Sequence, residues 1–262
     1  MKVQIYSIKT PADAALCADA GVDFIGVAPG NRGRLPGEVT FEECRAIFAA
    51  IPADSGAFRV ALTVATEVNE IVAMVRAVEP DVVHLSGDIR ALTVADVAEL
   101  RAAIQPVKIL QAIPVAGAEA VSLALAYQRV SDYLILDTDH AGVIGIGATG
   151  ATHDWSLSAA IVRRANVPAI LAGGLSPENV GAAIRAVRPW AVDSFTHTNA
   201  PGTKRKDDAR VRAFVAVGGE ARRERGRRID EDELLFDGEQ VVAVEVRVMT
   251  ERLATASDHS RR

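Results

Sequence analysis

The sequence predicts a (β/α)8 TIM barrel, an α/β fold, from three observations. Short apolar runs rich in β-branched residues alternate with Ala-rich amphipathic segments along residues 1–217. The strand-like runs are apolar throughout, which is typical of a parallel sheet covered on both faces. The turn after the first strand, Ser7–Thr10, contains no glycine. A doubly wound open sheet, the alternative, normally has a Gly-rich turn there.

The elements follow in order, and three helices have clear start signals. Thr10-Pro11, Thr40 and Ser176-Pro177 each place a capping residue before a helix. The predicted strands are Lys2–Ile8, Val22–Ala28, Phe58–Val64, Asp81–Leu85, Val107–Ile113, Tyr133–Asp137, Ala169–Ala172 and Ala191–Phe195. The predicted helices are Pro11–Ala20, Phe41–Ala50, Val68–Val78, Val94–Ala103, Ala118–Arg129, Ser156–Arg164, Pro177–Val187 and Asp207–Val217.

The sequence character changes after residue 217, which indicates a barrel over residues 1–217 and a C-terminal extension over residues 218–262. The extension opens with Gly218-Gly219 and a basic run at 221–228, and an acidic segment follows. Asp237-Gly238 stands between two apolar runs and signals a β-hairpin. We expect this extension to support a homo-oligomer, and we interpret the basic run as a solvated face.

Composition narrows the classes of partner. The 262 residues are 49% apolar and carry a formal charge of −5, which argues against electrostatic nucleic-acid binding. Cys17 and Cys44 fall in predicted helices and are expected to be reduced thiols. The sequence has neither a secretory signal pattern nor a membrane-length apolar run. We therefore expect a cytoplasmic protein without nucleic-acid or membrane partners and without a cofactor.

Chemistry in this fold is expected at the carboxyl ends of the strands. Polar residues are concentrated there, and Gln111 at the end of strand 5 is a candidate substrate contact. Gly173-Gly174 precedes a helix start, where backbone N–H groups and the helix dipole favour a phosphate. The strands supply Tyr6, Ser7, His84, Gln111, Asp137, Asp139, His140, Asp193, Thr196, His197 and Asn199 to this face.

Several segments resemble phosphoribosylanthranilate isomerases over residues 1–217. The matching segments are Y-L-I-L-D-T (133–138), G-A-T-G-A-T-H-D-W (147–155), P-A-I-L-A-G-G-L-S-P-E-N-V (168–180), R-P-W-A-V-D (188–193) and P-G-T-K (201–204). The stretches V-Q-I-Y-S-I-K-T-P-A-D-A (3–14) and V-H-L-S-G-D (83–88) are similar more loosely. The family rearranges a phosphoribosyl amine by opening the ribose ring and removing a proton from C2. The resemblance implies a small phosphorylated substrate.

The resemblance also implies roles for individual residues. The family's acid, an aspartate, falls on Asp137, whereas its base, a cysteine, falls on Tyr6, and the next glycine falls on Ser7. A tyrosine has a reference pKa of about 10, so it is a poor base near neutrality. The family's phosphate-binding Ser-Gly of strand 8 corresponds to Thr196-His197, and Arg34 corresponds to the arginine that faces the anthranilate carboxylate, with Arg32 competing for that position.

The changed positions leave three hypotheses. A histidine can replace the missing base in an isomerase of a phosphorylated sugar or glycosylamine, since its pKa suits the task. Alternatively, Asp137 and the histidines serve a lyase or a metal-dependent hydrolase, or the chain is a non-catalytic phosphate-ligand-binding or assembly protein. The candidate catalytic residues are Asp137, His84, His197 and Tyr6. The candidate binding residues are Gly173, Gly174, Arg34, Thr196 and Gln111. No metal ligands are assigned, although His84, His140, His153 and His197 are predicted to share this face.

Overall fold

The computed structural model shows a closed barrel of eight parallel strands in the order β1-β2-β3-β4-β5-β6-β7-β8. Every strand pairs with its sequence neighbour, and β1 closes the barrel against β8. The (β/α)8 prediction is therefore confirmed, and the doubly wound alternative is wrong. The structure describes residues 1–30, 35, 37–138 and 154–219. The expectations for Arg34, His140, His153 and the C-terminal extension lie outside these residues.

The elements match the predicted order. The strands are β1 (Lys2–Ile5), β2 (Phe24–Val27), β3 (Phe58–Thr63), β4 (Val82–Leu85), β5 (Lys108–Pro114), β6 (Tyr133–Asp137), β7 (Ala169–Leu171) and β8 (Ala191–Ser194). The helices are α1 (Pro11–Asp19), α2 (Phe41–Ala49), α3 (Val68–Val78), α4 (Val94–Ile104), α5 (Glu119–Tyr127), α6 (Trp155–Arg164), α7 (Val180–Val187) and α8 (208–219). Two short 3-10 helices, Ala53–Ser55 and Thr196–Thr198, complete them.

Two of the three predicted helix caps form, and the third prediction is wrong. The Thr10 hydroxyl accepts a hydrogen bond from the Asp13 amide, and Thr40 forms a reciprocal capping box with Glu43. Ser176 does not cap α7, because residues 177–179 form a turn and the helix begins at Val180. The Ser176 amide instead donates to Asn179 Oδ1 at 2.8 Å. The fixed φ of Pro177 suits this turn as well as a helix start.

The barrel interior holds the main hydrophobic cluster. Side chains alternate between the two faces of a strand, so inward positions recur every second residue. The cluster contains Phe24, Val60, Val82, Leu110, Ala112, Ile135, Ile170, Ala172 and Ala191, with Tyr133 and Trp190 packed against it. Cys17 and Cys44 are free and buried in α1 and α2, as expected. Across the described residues, no helix is long and apolar enough to cross a membrane.

Candidate active site

The same alternation places a polar layer above the apolar cluster. His84 lies two residues beyond Val82, Asp137 two beyond Ile135, and Asp193 two beyond Ala191. Gln4 joins this layer because its Nε2 donates to Asp193 Oδ1 at 2.9 Å. The carboxyl ends of β1, β4, β6 and β8 therefore bring their polar side chains together in the barrel mouth.

Tyr6 lies just beyond β1 and packs into this mouth. Its ring approaches the rings of His84 and Phe195 edge-on, with centroid distances of 6.1 and 5.9 Å. It rests on Gly26, where a Cβ atom would lie 2.5 Å from Tyr6 Cδ2, so a side chain on β2 would displace the ring. Burial, with the nearby charge of Asp193 second, raises the pKa of the Tyr6 phenol well above its ordinary value. Tyr6 therefore stays protonated and cannot act as a base near neutrality.

Ser7 has the backbone conformation expected where the resemblance places a glycine. Its φ of 62° is in the left-handed region, which is unfavourable for a residue with a Cβ atom. The turn after β1 is tight although residues 7–10 contain no glycine. The turn aims Tyr6 inward, and the Ile8 amide then donates to the Gly26 carbonyl at 2.8 Å.

His84 is a neutral imidazole inside the barrel. It is 5% exposed, and neither ring nitrogen has a hydrogen-bond partner among the described residues. Burial lowers the pKa of His84 to about 3, since the charged form loses its hydration. The hydroxyl of Tyr6 and Oε1 of Gln4 are likewise buried without a partner in the described part of the chain. Buried polar atoms are normally hydrogen-bonded, so these atoms have capacity for a polar partner from outside the described residues.

Asp137 and Asp193 are coupled carboxylates in the polar layer. Burial raises the pKa of Asp137 to about 6, partly offset by the hydrogen bond that its Oδ1 accepts from the Thr138 amide at 2.7 Å. Burial also raises the pKa of Asp193 to about 7, and the charge of Asp137 adds to this effect. Gln4 and Lys206 act in the opposite direction on Asp193. One carboxyl group of such a pair holds a proton near neutrality, which suits acid–base chemistry.

Lys206 is a buried cation beneath the loop that follows β8. Its Nζ donates to the Phe195 carbonyl at 3.0 Å, to Asn199 Oδ1 at 2.8 Å and to Thr198 Oγ1 at 3.3 Å. It also lies 5.3 Å from the centroid of the Phe195 ring. Burial lowers the pKa of Lys206 to about 8, and the charge of Asp193 partly offsets this effect. Lys206 thus ties the 195–199 loop to the barrel.

The turn after β7 contains two consecutive glycines. Gly173 and Gly174 have φ values of 85° and 60°, which glycine adopts without strain. The Gly174 carbonyl is turned away to accept a hydrogen bond from Asn179 Nδ2 at 2.9 Å. This hydrogen bond ties the turn to the start of α7, because Asn179 is the residue before the first residue of that helix.

Thr196 and His197 lie in the 3-10 helix after β8, outside the polar layer. Thr196 is exposed and His197 is half-buried. His197 and Arg210 are close enough to Glu178 to lower its carboxyl pKa, although hydrogen bonds at Ser176 and Glu178 contribute more. The structure therefore brings His197 toward the β7–α7 turn and separates it from His84.

Gln111 is separated from the other candidates. It lies between Leu110 and Ala112, which both face the barrel interior, so strand alternation directs Gln111 to the opposite face. Its Nε2 donates to the Ala112 carbonyl at 3.0 Å. Within the described ranges, no group of three or more His, Cys, Asp or Glu side chains has the arrangement to hold a metal ion.

A cavity of about 200 Å³ opens where β2 and β3 end and α3 begins. Its apolar walls include Leu35, Phe41, Leu62 and Met74. Leu62 is the neighbour of His84 in the β3–β4 register, so the cavity adjoins the polar layer. Glu38 and Glu70 also line the cavity, so its walls are of mixed polarity, and it has room for part of a ligand.

Asp193 and Lys206 are functional candidates to which the sequence analysis gave no role. Alternation along β8 could have identified Asp193, because its parity matches that of Ala191. The burial of Lys206 has no signal in the sequence, since P-G-T-K-R-K-D reads as an exposed polar turn.

Comparison with known proteins agrees with this geometry. The family described as N-(5'phosphoribosyl)anthranilate (PRA) isomerase matches residues 10–217. N-(5'-phosphoribosyl)anthranilate isomerase of Halobacterium salinarum is 38% identical over 219 residues, covering 82% of this chain and 94% of that protein. The enzyme of that name from Haloferax volcanii is 35% identical, covering 84% and 94%.

A solved structure shows the same architecture. The crystal structure of phosphoribosyl anthranilate isomerase from Thermotoga maritima has a TM-score of 0.69 at 27% identity, covering 84% of this chain and 99% of that chain. Family and fold agree across the barrel. The chain is a member of the N-(5'-phosphoribosyl)anthranilate isomerase family.

Proposed function

We propose that this chain is an aldose–ketose isomerase of a phosphorylated glycosylamine, with N-(5'-phosphoribosyl)anthranilate as the first candidate substrate. The observation that carries the proposal is Asp137, a carboxyl group in the barrel mouth whose pKa burial raises to about 6. A carboxyl group whose pKa lies this close to neutrality remains partly protonated there and can protonate a ribose ring oxygen. Family membership supports the same reaction class.

The binding features fit the two ends of such a substrate. The turn at Gly173-Gly174, with His197 and Arg210 nearby, supports binding of the phosphate. The cavity beside the polar layer has apolar walls at Phe41, Leu62 and Met74, and these walls support binding of an aromatic amine substituent. The unpartnered atoms of Tyr6, His84 and Gln4 then face the sugar hydroxyls between these ends.

The catalytic proposal is tested with Asp137→Asn. This variant keeps the size of the side chain and removes the proton donor, so we expect kcat to fall by about 10²- to 10⁴-fold. Turnover of N-(5'-phosphoribosyl)anthranilate to the deoxyribulose 5-phosphate ketone is measured by product analysis. Asp208→Asn is the matched control, because Asp208 is an exposed carboxylate that pairs with Arg212.

Two results would contradict the proposal. An inactive wild-type chain would favour a non-catalytic ligand-binding protein in which the Tyr6 ring occupies the mouth. Full activity in Asp137→Asn would show that the acid is another residue.

A further inference from the structure

A residue on a strand beside β1 can act as the base that Tyr6 does not provide. In the barrel, β8 lies between β7 and β1, so Asp193 is one strand from the position of Tyr6. Gln4 and Asp193 are register partners, and the Gln4 amide donates to the carboxylate. Asp193 therefore lies close to the place that the family's cysteine occupies, one layer deeper.

Asp193 also faces the acid. The pairing of Leu136 with Leu171 and of Leu171 with Val192 continues to Asp137, Ala172 and Asp193. Ala172 presents only a methyl group between the two carboxyl groups, which leaves room for them to interact. The charge of Asp137 accordingly acts on Asp193. Two carboxyl groups that are close enough for the charge of one to raise the pKa of the other share one proton, because ionising both costs more than ionising either.

Burial gives Asp193 the higher pKa of the two, about 7 against about 6 for Asp137, so the shared proton lies more often on Asp193 in the unliganded chain. The form that reacts has the proton on Asp137 and the negative charge on Asp193. Its Oδ1 accepts the hydrogen bond from Gln4, and the buried Lys206 ammonium attracts its charge. The Thr138 amide donates to Asp137 Oδ1 and lowers the pKa of Asp137, so protonated Asp137, which the ring-opening step requires, is the less populated form. In the reacting form, Asp137 is the acid and Asp193 is the base.

The other candidate bases are weaker. Tyr6 stays protonated because burial raises its pKa. His84 is unprotonated, but a conjugate acid with a pKa of about 3 makes it a poor proton acceptor. His197 lies in the 3-10 helix near Glu178, away from the polar layer.

We propose that Asp193 is the catalytic base of this chain and removes the C2 proton that the family's cysteine removes. This inference rests on the proposed function. Two buried groups of the polar layer have no hydrogen-bond partner among the described residues: Oε1 of Gln4 and the ring nitrogens of His84. They support a bound sugar beside Asp193. Both side chains are at most 5% exposed.

The proton balance closes within the pair. Asp137 gives its proton to the ring oxygen as the C1–O bond breaks, and the nitrogen lone pair forms the C1=N bond. Asp193 takes the C2 proton, the C2–H electrons form the C1=C2 bond, and the C1=N electrons return to nitrogen. The enolamine then loses its C2 hydroxyl proton and gains a proton at C1 to give the ketone. Transfer of one proton from Asp193 to Asp137 restores the starting pair.

The test compares Asp193→Asn, Asp137→Asn, His84→Gln and Asp208→Asn in the full chain. The substrate is N-(5'-phosphoribosyl)anthranilate with hydrogen or deuterium at ribose C2. Borohydride added during the reaction reduces any open-chain imine and reports ring opening separately from proton removal. Unfolding temperatures show that each variant folds.

We expect Asp193→Asn to lower kcat by about 100-fold or more and to enlarge the C2 isotope effect, with imine still trapped. Asp137→Asn should trap no imine. Turnover close to wild type in Asp193→Asn, or loss of proton removal with retained imine only in His84→Gln, would overturn Asp193 while leaving the isomerase proposal intact. Absence of turnover in the wild-type chain would overturn both proposals.

Discussion

At the scale of single residues, Tyr6 shapes the mouth of the barrel. A thiol at this position needs little space, whereas the phenol ring needs a flat support, which Gly26 provides. The ring gains edge contacts with His84 and Phe195, but its hydroxyl is buried without a partner among the described residues. A buried unpaired hydroxyl costs about 1–3 kcal/mol of folding free energy. Tyr6 is therefore a site where stability has been given up in the unliganded protein.

Tyr6→Phe should raise the free energy of unfolding by about 1 kcal/mol, because it removes that hydroxyl and keeps the ring. Denaturant unfolding of the unliganded chain measures the change. Tyr127→Phe is the control, since the Tyr127 hydroxyl donates to the Leu92 carbonyl at 2.7 Å and to the Ile89 carbonyl at 2.9 Å. The control should lose about 1 kcal/mol. Equal losses in both variants would mean that the Tyr6 hydroxyl is hydrogen-bonded in the folded state.

At the scale of elements, the segment between β8 and α8 depends on Lys206. The segment carries Thr196 and His197 and begins at Phe195, which touches Tyr6. The backbone contributes further ties, such as the hydrogen bond from the Asp207 amide to the Thr198 carbonyl at 3.0 Å. Lys206 donates hydrogen bonds to three acceptors of this segment, so it holds the part of the chain that carries Thr196 and His197.

Lys206→Met should lower the free energy of unfolding by about 2–4 kcal/mol, because it leaves buried acceptors of the loop unpaired. We also expect KM for the phosphorylated substrate to rise more than kcat falls, because this segment carries Thr196, a predicted binding residue. Thermal unfolding and steady-state kinetics measure the two effects. Lys204→Met is the matched control, because Lys204 is exposed in the same turn. A variant as stable as this control would show that Lys206 does not hold the loop.

At the scale of the whole molecule, the pH dependence of activity combines groups from several strands. The charge of Asp193 on β8 is affected by Asp137 of β6, by the hydrogen bond from Gln4 of β1 and by Lys206 of the following segment. Asp193 in turn raises the pKa of Tyr6, which lies just beyond β1. Activity requires one proton on the carboxyl pair, whose pKa values burial raises to about 6 and about 7. We expect kcat/KM to be bell-shaped, with its maximum between these values. A flat profile from pH 5 to pH 8 would contradict the shared proton.

The same groups predict the sign of the pH effect on stability. Both folded-state pKa values lie above the ordinary value of 3.8, so folding favours the protonated forms. The contribution of the pair is fully present below about pH 4 and is lost as the pH rises through about 6 and 7. Asp193→Asn should therefore gain unfolding temperature relative to wild type above pH 7, and should not do so near pH 4. Thermal unfolding of both proteins across this range measures the difference.

Much of the fold could be predicted because its signals are local. Local signals determine structure only within a few residues. They include the apolar runs, cap residues such as Thr40 and glycine turns such as Gly173-Gly174. Prediction failed where two local solutions are close in energy, as at Ser176-Pro177, which forms a turn instead of a helix start. The prediction that Gln111 lies at the mouth of the barrel differs from the structure for another reason. Its place at a strand end suggested the mouth, but the parity of Leu110 and Ala112 directs it away.

The sequence by itself determined the barrel class, the place of Asp137 at the end of β6 and the absence of cysteine at position 6. Only the tertiary structure decided that Asp193, Gln4 and Asp137 meet, because the closing of β1 against β8 joins residues 189 positions apart. It also decided the charge states. A pKa depends on burial and on neighbours from other strands, and these exist only once the barrel has closed.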